Sequence, residues 1–311
     1  MNKRISHPGD LMPDIVTNLL DKYGKPKELS INFLPELDKK IWGLHRGTMV
    51  VVGGRTSMGK SVFVSNMGLS FALQGKKCVL FSLEMTSENC TMRMMNNYCS
   101  IDNWANIAGM SGEDYGKHSQ SINEFQGKMK DADLMIVESY GKTFSEIFDV
   151  IETMDSDVDV VMIDYIQMIK STGKSDKQAI DEYLKKLRAY AIQKNFCAVV
   201  VSQINRATYD GKKVSPPELW ELKSTGALEE IADIAILLHW HWHYDQEGDY
   251  EKNDYWIRVA KNREGRTGVF HCRFEPEFSR ICEQKVKPYE PGTKKESYTS
   301  VGASSKDNPM L

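Results

Sequence analysis

The feature that most constrains this chain is the stretch GRTSMGKS at residues 54–61, which fits the pattern G-x-x-x-x-G-K-[ST]. An apolar run, Met49 to Val52, precedes it, and an apolar-periodic segment follows it. This order predicts a strand, a tight loop and a helix, in which backbone N–H groups and the helix N-terminus surround phosphate oxygens. The stretch therefore predicts a nucleoside triphosphate site in an α/β fold.

The residues of this loop have separate expected roles. Gly54, Ser57 and Gly59 bring backbone amides close to the phosphates. Lys60 neutralises the β- and γ-phosphate oxygens, and the hydroxyl of Ser61 ligates magnesium. ATP and Mg²⁺ are the ligands that the loop predicts.

Composition sets limits on the rest of the chain. A length of 311 residues with 41% hydrophobic content suits one α/β domain with appendages. The net charge of -3 excludes a generally basic protein, but a few loop cations and backbone amides can still hold nucleic acid. Six cysteines without a C-x-x-C pair, and no signal peptide, predict a cytoplasmic protein. No apolar run approaches the roughly 20 residues of a membrane span.

Strands and helices alternate through most of the chain, which predicts a mostly parallel sheet flanked by helices. The predicted strands are Met49–Val52, Cys78–Ser82, Leu134–Val137, Val158–Ile163, Ala198–Ser202, Ile234–Leu238, Tyr255–Lys261 and Gly268–Phe274. The predicted helices are Ser61–Leu73, Ser87–Tyr98, Gly112–Lys130, Phe144–Met154, Asp176–Lys194 and Pro217–Glu230. Residues 31–284 are predicted to form the core domain, after an N-terminal segment of residues 1–30. Residues 285–311, rich in Lys, Pro, Gly, Ser and Thr, are predicted to be a disordered tail.

The N-terminal segment contains a predicted amphipathic helix. Asp10 is placed to cap it, and its apolar stripe continues to about Tyr23. The run Lys25-Pro26-Lys27 separates this helix from the core domain. The stripe therefore packs either on a neighbouring copy of the chain or back on its own domain.

Three predicted strands end in polar side chains, which should meet at one edge of the sheet. Asp164 ends an apolar strand, where a nucleotide-binding sheet places a magnesium-organising aspartate. Glu84 follows another strand. It could polarise a water molecule for attack on the γ-phosphate, or it could be an ordinary solvated residue at a strand end. Gln203 follows a third strand and suits a sensor of the γ-phosphate.

Several blocks, in this order and spacing, carry a family resemblance: GGRTSMGKS, FSLEM, VVMIDYIQMI, SQINR, GALEEIADI and AKNREGRTG. They resemble the motor domain of the DnaB family of replicative hexameric DNA helicases, over about Phe33 to Phe274. The resemblance implies a RecA-like fold, ATP hydrolysis, and a homo-oligomeric ring of six subunits around single-stranded DNA. It also implies 5′ to 3′ translocation, unwinding of forked DNA, and partners of the primase and helicase-loader kinds.

The resemblance also implies residue roles. Glu84 becomes the catalytic base, Asp164 the magnesium aspartate and Gln203 the sensor. Lys261 and Arg263 fall on the family's basic pair, which reaches into the ATP site of the neighbouring subunit. Without the resemblance, these two cations would be interpreted as a solvated hairpin turn.

The stretch between Asn205 and Gly226 falls where the family places its DNA-facing loops. Family members often read Arg-Glu-Ser-Gly where this chain reads KSTG at residues 223–226. A cation, a hydroxyl and backbone amides still suit sequence-independent phosphate binding. The candidate DNA-binding residues are Arg206, Lys212, Lys213, Lys223, Ser224 and Gly226. The ordinary interpretation of the first three is a charged surface loop.

Two further alternatives stay open. His239, His241 and His243 lie on one face if their strand continues, which could describe a metal site, although a strand end with an aromatic packing face is the preferred interpretation.

Cellular members of the family carry an N-terminal helical domain, whereas about thirty residues precede the motor here. The predicted N-terminal helix resembles the family's linker helix, which favours docking on an adjacent subunit.

The function also has rival hypotheses. The leading one is an ATP-driven helicase, and its first rival is a RecA-like protein that binds single strands and uses ATP only to switch affinity. The second rival is a scaffold whose ATP site only rigidifies an oligomer. The full set of Lys60, Glu84, Asp164, Gln203 and Arg263 argues against a scaffold.

Overall fold

The computed structural model describes residues 7–22, 28–102, 111–154, 157–169, 176–204, 216–224, 226–247 and 250–284. The α-helices are α1 (Pro8–Lys22), α2 (Pro35–Ile41), α3 (Lys60–Leu73), α4 (Ser87–Cys99), α5 (Gly112–Asp131), α6 (Phe144–Thr153), α7 (Asp176–Lys194) and α8 (Gly226–Ile231). The strands are β1 (Met49–Gly54), β2 (Cys78–Ser82), β3 (Leu134–Glu138), β4 (Val160–Asp164), β5 (Cys197–Gln203), β6 (Ile234–Trp240), β7 (Asp254–Asn262), β8 (Gly268–Glu275) and β9 (Arg280–Glu283). Short 3₁₀ helices lie at Ile166–Met168, Leu219–Ser224, His241–His243 and Pro276–Phe278.

The strands of the described residues form one nine-stranded sheet in the order β3-β2-β4-β5-β1-β6-β7-β8-β9. The six strands from β3 to β6 in this order are parallel. Strands β7, β8 and β9 extend the sheet by antiparallel pairing. The carboxyl ends of β1, β2, β4 and β5 therefore lie along one edge of the sheet, which is called the carboxyl edge here and is where ligands of such sheets bind.

Hydrophobic layers cover both faces of the sheet. Val50 and Val52 of β1 belong to the layer that contains Phe63 of α3. Val51 belongs to the opposite layer, with Leu184 of α7. This alternation follows from the period of two along a strand. Because all six residues of β1 are buried, the loop that follows it starts from a strand held on both faces.

The predicted alternation of strands and helices is confirmed, and the eight predicted strands are present with ends that move by at most two residues. Helix α2 and strand β9 were not predicted. The single helix predicted for Pro217–Glu230 is wrong, because the chain forms a 3₁₀ helix at Leu219–Ser224 and a separate helix α8 that begins at Gly226. Ser224, which ends the 3₁₀ helix, and Gly226, which begins α8, are both weaker helix formers than alanine or leucine.

Helix α1 begins at Pro8, two residues before the predicted cap at Asp10, and the predicted end at Tyr23 lies outside the described residues. Four of its apolar side chains are between 43% and 52% exposed, namely Leu11, Met12, Ile15 and Val16. Within the described part of the chain, this part of the stripe is therefore open to solvent. The tail predicted for residues 285–311 lies outside the described residues. Among the helices of the described part, none combines the length and apolarity needed to cross a membrane.

Candidate nucleotide-binding site

The loop at residues 54–61, called the phosphate loop here, joins β1 to α3 on the carboxyl edge. Ser57 and Gly59 have left-handed backbone conformations, with φ of 63° and 74°. Such residues turn successive N–H groups towards one point and make an anion-binding concavity. A β-carbon at Gly59 would lie 3.2 Å from Phe274 Cζ of β8, so glycine meets both the conformational and the spatial requirement.

Lys60 is the first residue of α3, and its side chain is buried. Its Nζ donates a hydrogen bond of 2.8 Å to the carbonyl oxygen of Arg55, which holds the ammonium inside the phosphate loop. Burial lowers the pKa of Lys60 to about 8, and the charges of Asp164 and Glu84 only partly oppose this effect. The negative charge of bound phosphate groups would raise this pKa again and so favour the protonated form of Lys60.

Asp164 ends β4 beside Ser82 of β2. Ser61 hydrogen-bonds to the Asp164 carboxylate, and burial raises the pKa of that carboxyl despite this bond. Asp164 Oδ1 is buried, and among the described residues it has no hydrogen-bond partner. A buried, unpaired carboxylate oxygen beside a hydroxyl fits the oxygen ligands that Mg²⁺ prefers, so these two residues suit a magnesium site.

Glu84 lies two residues beyond the end of β2, and its side chain is exposed. The N–H of Leu83 donates a 2.9 Å hydrogen bond to the carbonyl oxygen of Asp164, which fixes the start of this turn against β4. The charge of Glu84 acts on both Lys60 and Asp164. A carboxylate that faces water next to the phosphate loop is placed to polarise a water molecule.

Gln203 ends β5 and contacts the phosphate loop directly. Its Nε2 donates a 3.1 Å hydrogen bond to Thr56 Oγ1, and its backbone N–H donates to Gln167 Oε1 at 3.1 Å. Gln167 follows Asp164 in the 3₁₀ helix after β4, and its Nε2 also donates to Ser202 Oγ at 2.8 Å. Thr56 and Gln167 were not among the residues predicted from the sequence. The polar residue three positions after Asp164 was the available signal for the latter.

Arg55 was also missed. Its Nη2 lies 2.8 Å from Glu221 Oε2, and the two side chains are 3% and 10% exposed. Glu221 belongs to the 3₁₀ helix Leu219–Ser224. The phosphate loop therefore has a buried ionic contact to the stretch that was assigned to DNA from the sequence.

The candidate DNA-binding residues are only partly described. Lys223 and Ser224 end the 3₁₀ helix that contains Glu221, and Gly226 begins α8. Their helices follow the carboxyl end of β5 in the chain. Arg206, Lys212 and Lys213 lie outside the described residues.

Lys261 and Arg263 lie beside the amino end of β6, at the edge of the sheet opposite the carboxyl edge. Lys261 Nζ donates to the carbonyl oxygen of Glu229 at 2.6 Å. The Arg263 guanidinium donates to the carbonyl oxygen of Glu230 at 2.6 Å and to Asp233 Oδ1 at 3.2 Å. Burial and then the nearby charge of Arg263 lower the pKa of Lys261.

The register of β6 gives the separation between this pair and the phosphate loop. The N–H of Arg263 bonds to the carbonyl oxygen of Asp233, which precedes β6, whereas Gly54 pairs with Leu238 near the far end of β6. Five residues of strand span roughly 16 Å. Arg263 therefore cannot reach the phosphate loop of its own chain in this arrangement.

The histidines do not share one strand face. Strand β6 ends at Trp240, and residues 241–243 form a 3₁₀ helix. His239 Nε2 and His241 Nδ1 lie 3.1 Å apart, whereas the His243 ring stacks on Trp240. Burial lowers the pKa of His239 to about 3. In the part of the chain that the structure describes, no three His, Cys, Asp or Glu side chains could hold a metal ion together.

The sequence is similar to a known family and to named members of it. Residues 31–283 match the family model described as "DnaB-like helicase C terminal domain". The chain is 28% identical over 254 residues to the replicative DNA helicase DnaC of Bacillus subtilis, covering 79% of this chain and 54% of that protein. It is 27% identical over 253 residues to the replicative DNA helicase DnaB of Geobacillus stearothermophilus, with the same two coverages. The chain thus spans about half the length of these relatives.

Solved structures share the fold of this chain. One of them, the structure of an ATPase domain, superposes with a TM-score of 0.76 at 24% identity, covering 90% of this chain and all of that one. The structure titled "The Structure Of A DnaB-Like Replicative Helicase And Its Interactions With Primase" superposes with a TM-score of 0.75 at 23% identity. It covers 91% of this chain and 68% of that one. These similarities confirm the RecA-like fold that the sequence blocks predicted.

Proposed function

Because the chain belongs to the family of DnaB-like helicase C-terminal domains, we propose that it is the motor of an ATP-dependent replicative DNA helicase. In this proposal it moves along single-stranded DNA from 5′ to 3′ and unwinds the duplex at a fork. One observation carries the proposal beyond family membership. Lys60 and Glu84 lie at the carboxyl edge, whereas Arg263 lies at the opposite end of the sheet.

The residues of the carboxyl edge divide the work of ATP hydrolysis. The amides of the phosphate loop and the Lys60 ammonium bind and orient the phosphates. Ser61 and Asp164 Oδ1 would hold Mg²⁺, which supplies positive charge to the phosphate oxygens. Glu84 accepts a proton from the attacking water, and Gln203 senses the γ-phosphate through its contact with the loop at Thr56.

Arg263 and Lys261 serve a neighbouring copy of the chain. Their distance from the phosphate loop of their own chain supports this assignment, because a cation stabilises transition-state charge only when it is close to it. Arg263 is 48% exposed, and its guanidinium lies at the surface of the sheet end. Hydrolysis then depends on how two subunits are arranged, which is what a motor requires.

A ring of six copies is the assembly that follows from the family. The exposed apolar stripe of α1 (Leu11, Met12, Ile15, Val16) is proposed to dock on an adjacent subunit, since exposed apolar faces mark interaction sites. In this division, residues 1–30 are the linker, residues 31–284 are the motor domain, and residues 285–311 are a disordered tail. A cytoplasmic location and partners of the primase and loader kinds belong to the same proposal.

Single-stranded DNA is proposed to bind near the chain that follows β5. Lys223, Ser224 and the amide of Gly226 would contact phosphate groups without reading the bases. Arg206, Lys212 and Lys213 would add phosphate contacts. Binding of this kind weakens steeply as salt increases.

The test is strand displacement with ATP and Mg²⁺ on forked DNA that has a single-stranded arm at either the 5′ or the 3′ end. The expected result is displacement that requires the 5′ arm and is absent in the Lys60→Ala variant. Hydrolysis that DNA stimulates, without displacement of either substrate, would favour the RecA-like affinity switch instead. Displacement by Lys60→Ala would exclude the assigned ATP site.

A further inference from the structure

The contact between Arg55 and Glu221 links two segments that are far apart in the chain. Arg55 is the second residue of the phosphate loop, and its side chain is 3% exposed. Glu221 lies in the 3₁₀ helix Leu219–Ser224, and its Oε1 also accepts the N–H of Glu218 at 2.8 Å. Separating a buried ion pair leaves a charge without compensation away from water, which is strongly unfavourable. The phosphate loop and the 3₁₀ helix are therefore held together.

Packing strengthens this link. A β-carbon on Gly53 would lie 2.8 Å from Leu222 Cδ2, so the 3₁₀ helix packs directly on the end of β1. On the other side, Gln203 donates to Thr56 of the phosphate loop at 3.1 Å. The phosphate loop thus contacts the chain both before and after residues 205–215.

We propose that the Arg55–Glu221 ion pair couples the occupancy of the phosphate loop to the position of the 3₁₀ helix, and through it to single-stranded DNA. The inference rests on the proposed function, because Lys223 and Ser224 of the same helix are its DNA-binding candidates. A shift of the phosphate loop on nucleotide binding moves Arg55, and the ion pair passes that shift to the helix. The coupling is reciprocal, so DNA held by the helix also acts on the phosphate loop.

Glu221 is a positioning residue in this scheme, and the same segment offers a matched control. Glu218 pairs with Arg258 of β7, and these two side chains are 44% and 34% exposed. The partner of Glu218 therefore belongs to β7 rather than to the phosphate loop. Glu218→Gln removes the same kind of charge from the same segment and leaves the Arg55–Glu221 pair in place.

The first experiment compares Glu221→Gln with Glu218→Gln in the full chain. ATP turnover is measured alone and with saturating oligo-dT, and the ratio gives the stimulation by DNA. For Glu221→Gln this ratio, which already corrects for any change in basal turnover, falls about tenfold, within the usual range of coupling between sites. Glu218→Gln keeps the wild-type ratio. Glu221→Asp, which retains the charge, recovers part of the stimulation.

A second measurement starts from the wild-type protein, in which the Arg55–Glu221 ion pair is intact. Trp220 is 61% exposed and adjacent to Glu221, so its fluorescence reports on the 3₁₀ helix. A non-hydrolysable ATP analogue is expected to change the emission of the wild-type protein, and the Trp220→Phe variant identifies the part due to this residue among the six tryptophans. The change is expected to disappear in Glu221→Gln.

Three results would refute the proposed coupling between the phosphate loop and the 3₁₀ helix. They are undiminished DNA stimulation in Glu221→Gln, an equal loss in Glu218→Gln, and the absence of a nucleotide-dependent Trp220 signal in the wild-type protein. These results leave the helicase proposal intact when the wild-type protein still unwinds forks. A wild-type protein without DNA-stimulated turnover refutes the proposed function, and the coupling with it.

Discussion

Nucleotide binding should weaken as pH rises, because burial lowers the pKa of Lys60 to about 8. With that pKa, about nine tenths of the nucleotide-free protein carries a protonated Lys60 at pH 7, and about one tenth at pH 9. Bound phosphates stabilise the charged form, so binding takes up a proton when Lys60 starts neutral. The affinity for ADP is therefore expected to fall about tenfold from pH 7 to pH 9, or about 1.4 kcal/mol.

Isothermal titration calorimetry in two buffers with different ionisation enthalpies measures both the affinity for ADP and the number of protons taken up on binding. At pH 8, about half a proton should be taken up per ADP bound. The control is Lys60→Met, which keeps an apolar stem without a charge and should bind weakly, with an affinity that changes little with pH. A constant affinity from pH 7 to pH 9, with no proton uptake, would show that the protonation state of Lys60 does not control ADP binding.

The lowered pKa of Lys60 also makes the free energy of unfolding depend on pH. The folded pKa of Lys60 lies below the unfolded value of 10.5, so the unfolded chain binds more protons between these two values. Stability of the nucleotide-free protein relative to Lys60→Met should therefore rise as pH increases from about 8 to 10.5, by up to about 3 kcal/mol. The gain is lost progressively as pH falls from 10.5 to about 8.

Two substitutions test the packing of the site. Gly59→Ala forces an alanine into a left-handed conformation at about 1–2 kcal/mol and places its methyl against Phe274, so it should lower both stability and ADP affinity. Gly75→Ala is its control, since Gly75 has a φ of 69° and open space around it, and only stability should fall in a denaturation curve. Asn66→Ala removes a side chain that donates to the carbonyl oxygen of Ser279 and accepts the buried N–H of Ile281. It should cost about 1–3 kcal/mol for the unpaired N–H, and hydrogen exchange should increase in β9; unchanged exchange there would contradict this role.

The residues at the carboxyl edge could be predicted from the sequence because each has a local signal. Asp164, Glu84 and Gln203 each follow an apolar run, and the ends of parallel strands meet at one edge of the sheet. The phosphate loop has its own spacing pattern. These residues can therefore be predicted without knowing which distant parts of the chain are in contact.

The residues that were missed depend on contacts between distant parts of the chain. Arg55 and Glu221 are separated by 166 positions, and no local pattern joins them. Strand β9 is four residues long, and its place depends partly on Asn66, which lies 215 positions before Ile281. The bend after Trp240 likewise depends on tertiary packing, because the alternating histidines and tryptophans would also suit a continued strand.

We propose that each hydrolysis site is built from two subunits, and mixing two inactive variants tests this proposal. Lys60→Ala lacks a working phosphate loop, and Arg263→Ala lacks the cation given to the neighbour, so each should bind DNA but hydrolyse almost no ATP alone. In mixed rings, an Arg263→Ala subunit beside a Lys60→Ala subunit regains one complete site. We therefore expect DNA-stimulated ATP turnover to appear on mixing and to depend on the ratio of the two proteins. Normal turnover by Arg263→Ala alone, or none at any ratio after subunit exchange has been verified, would contradict it.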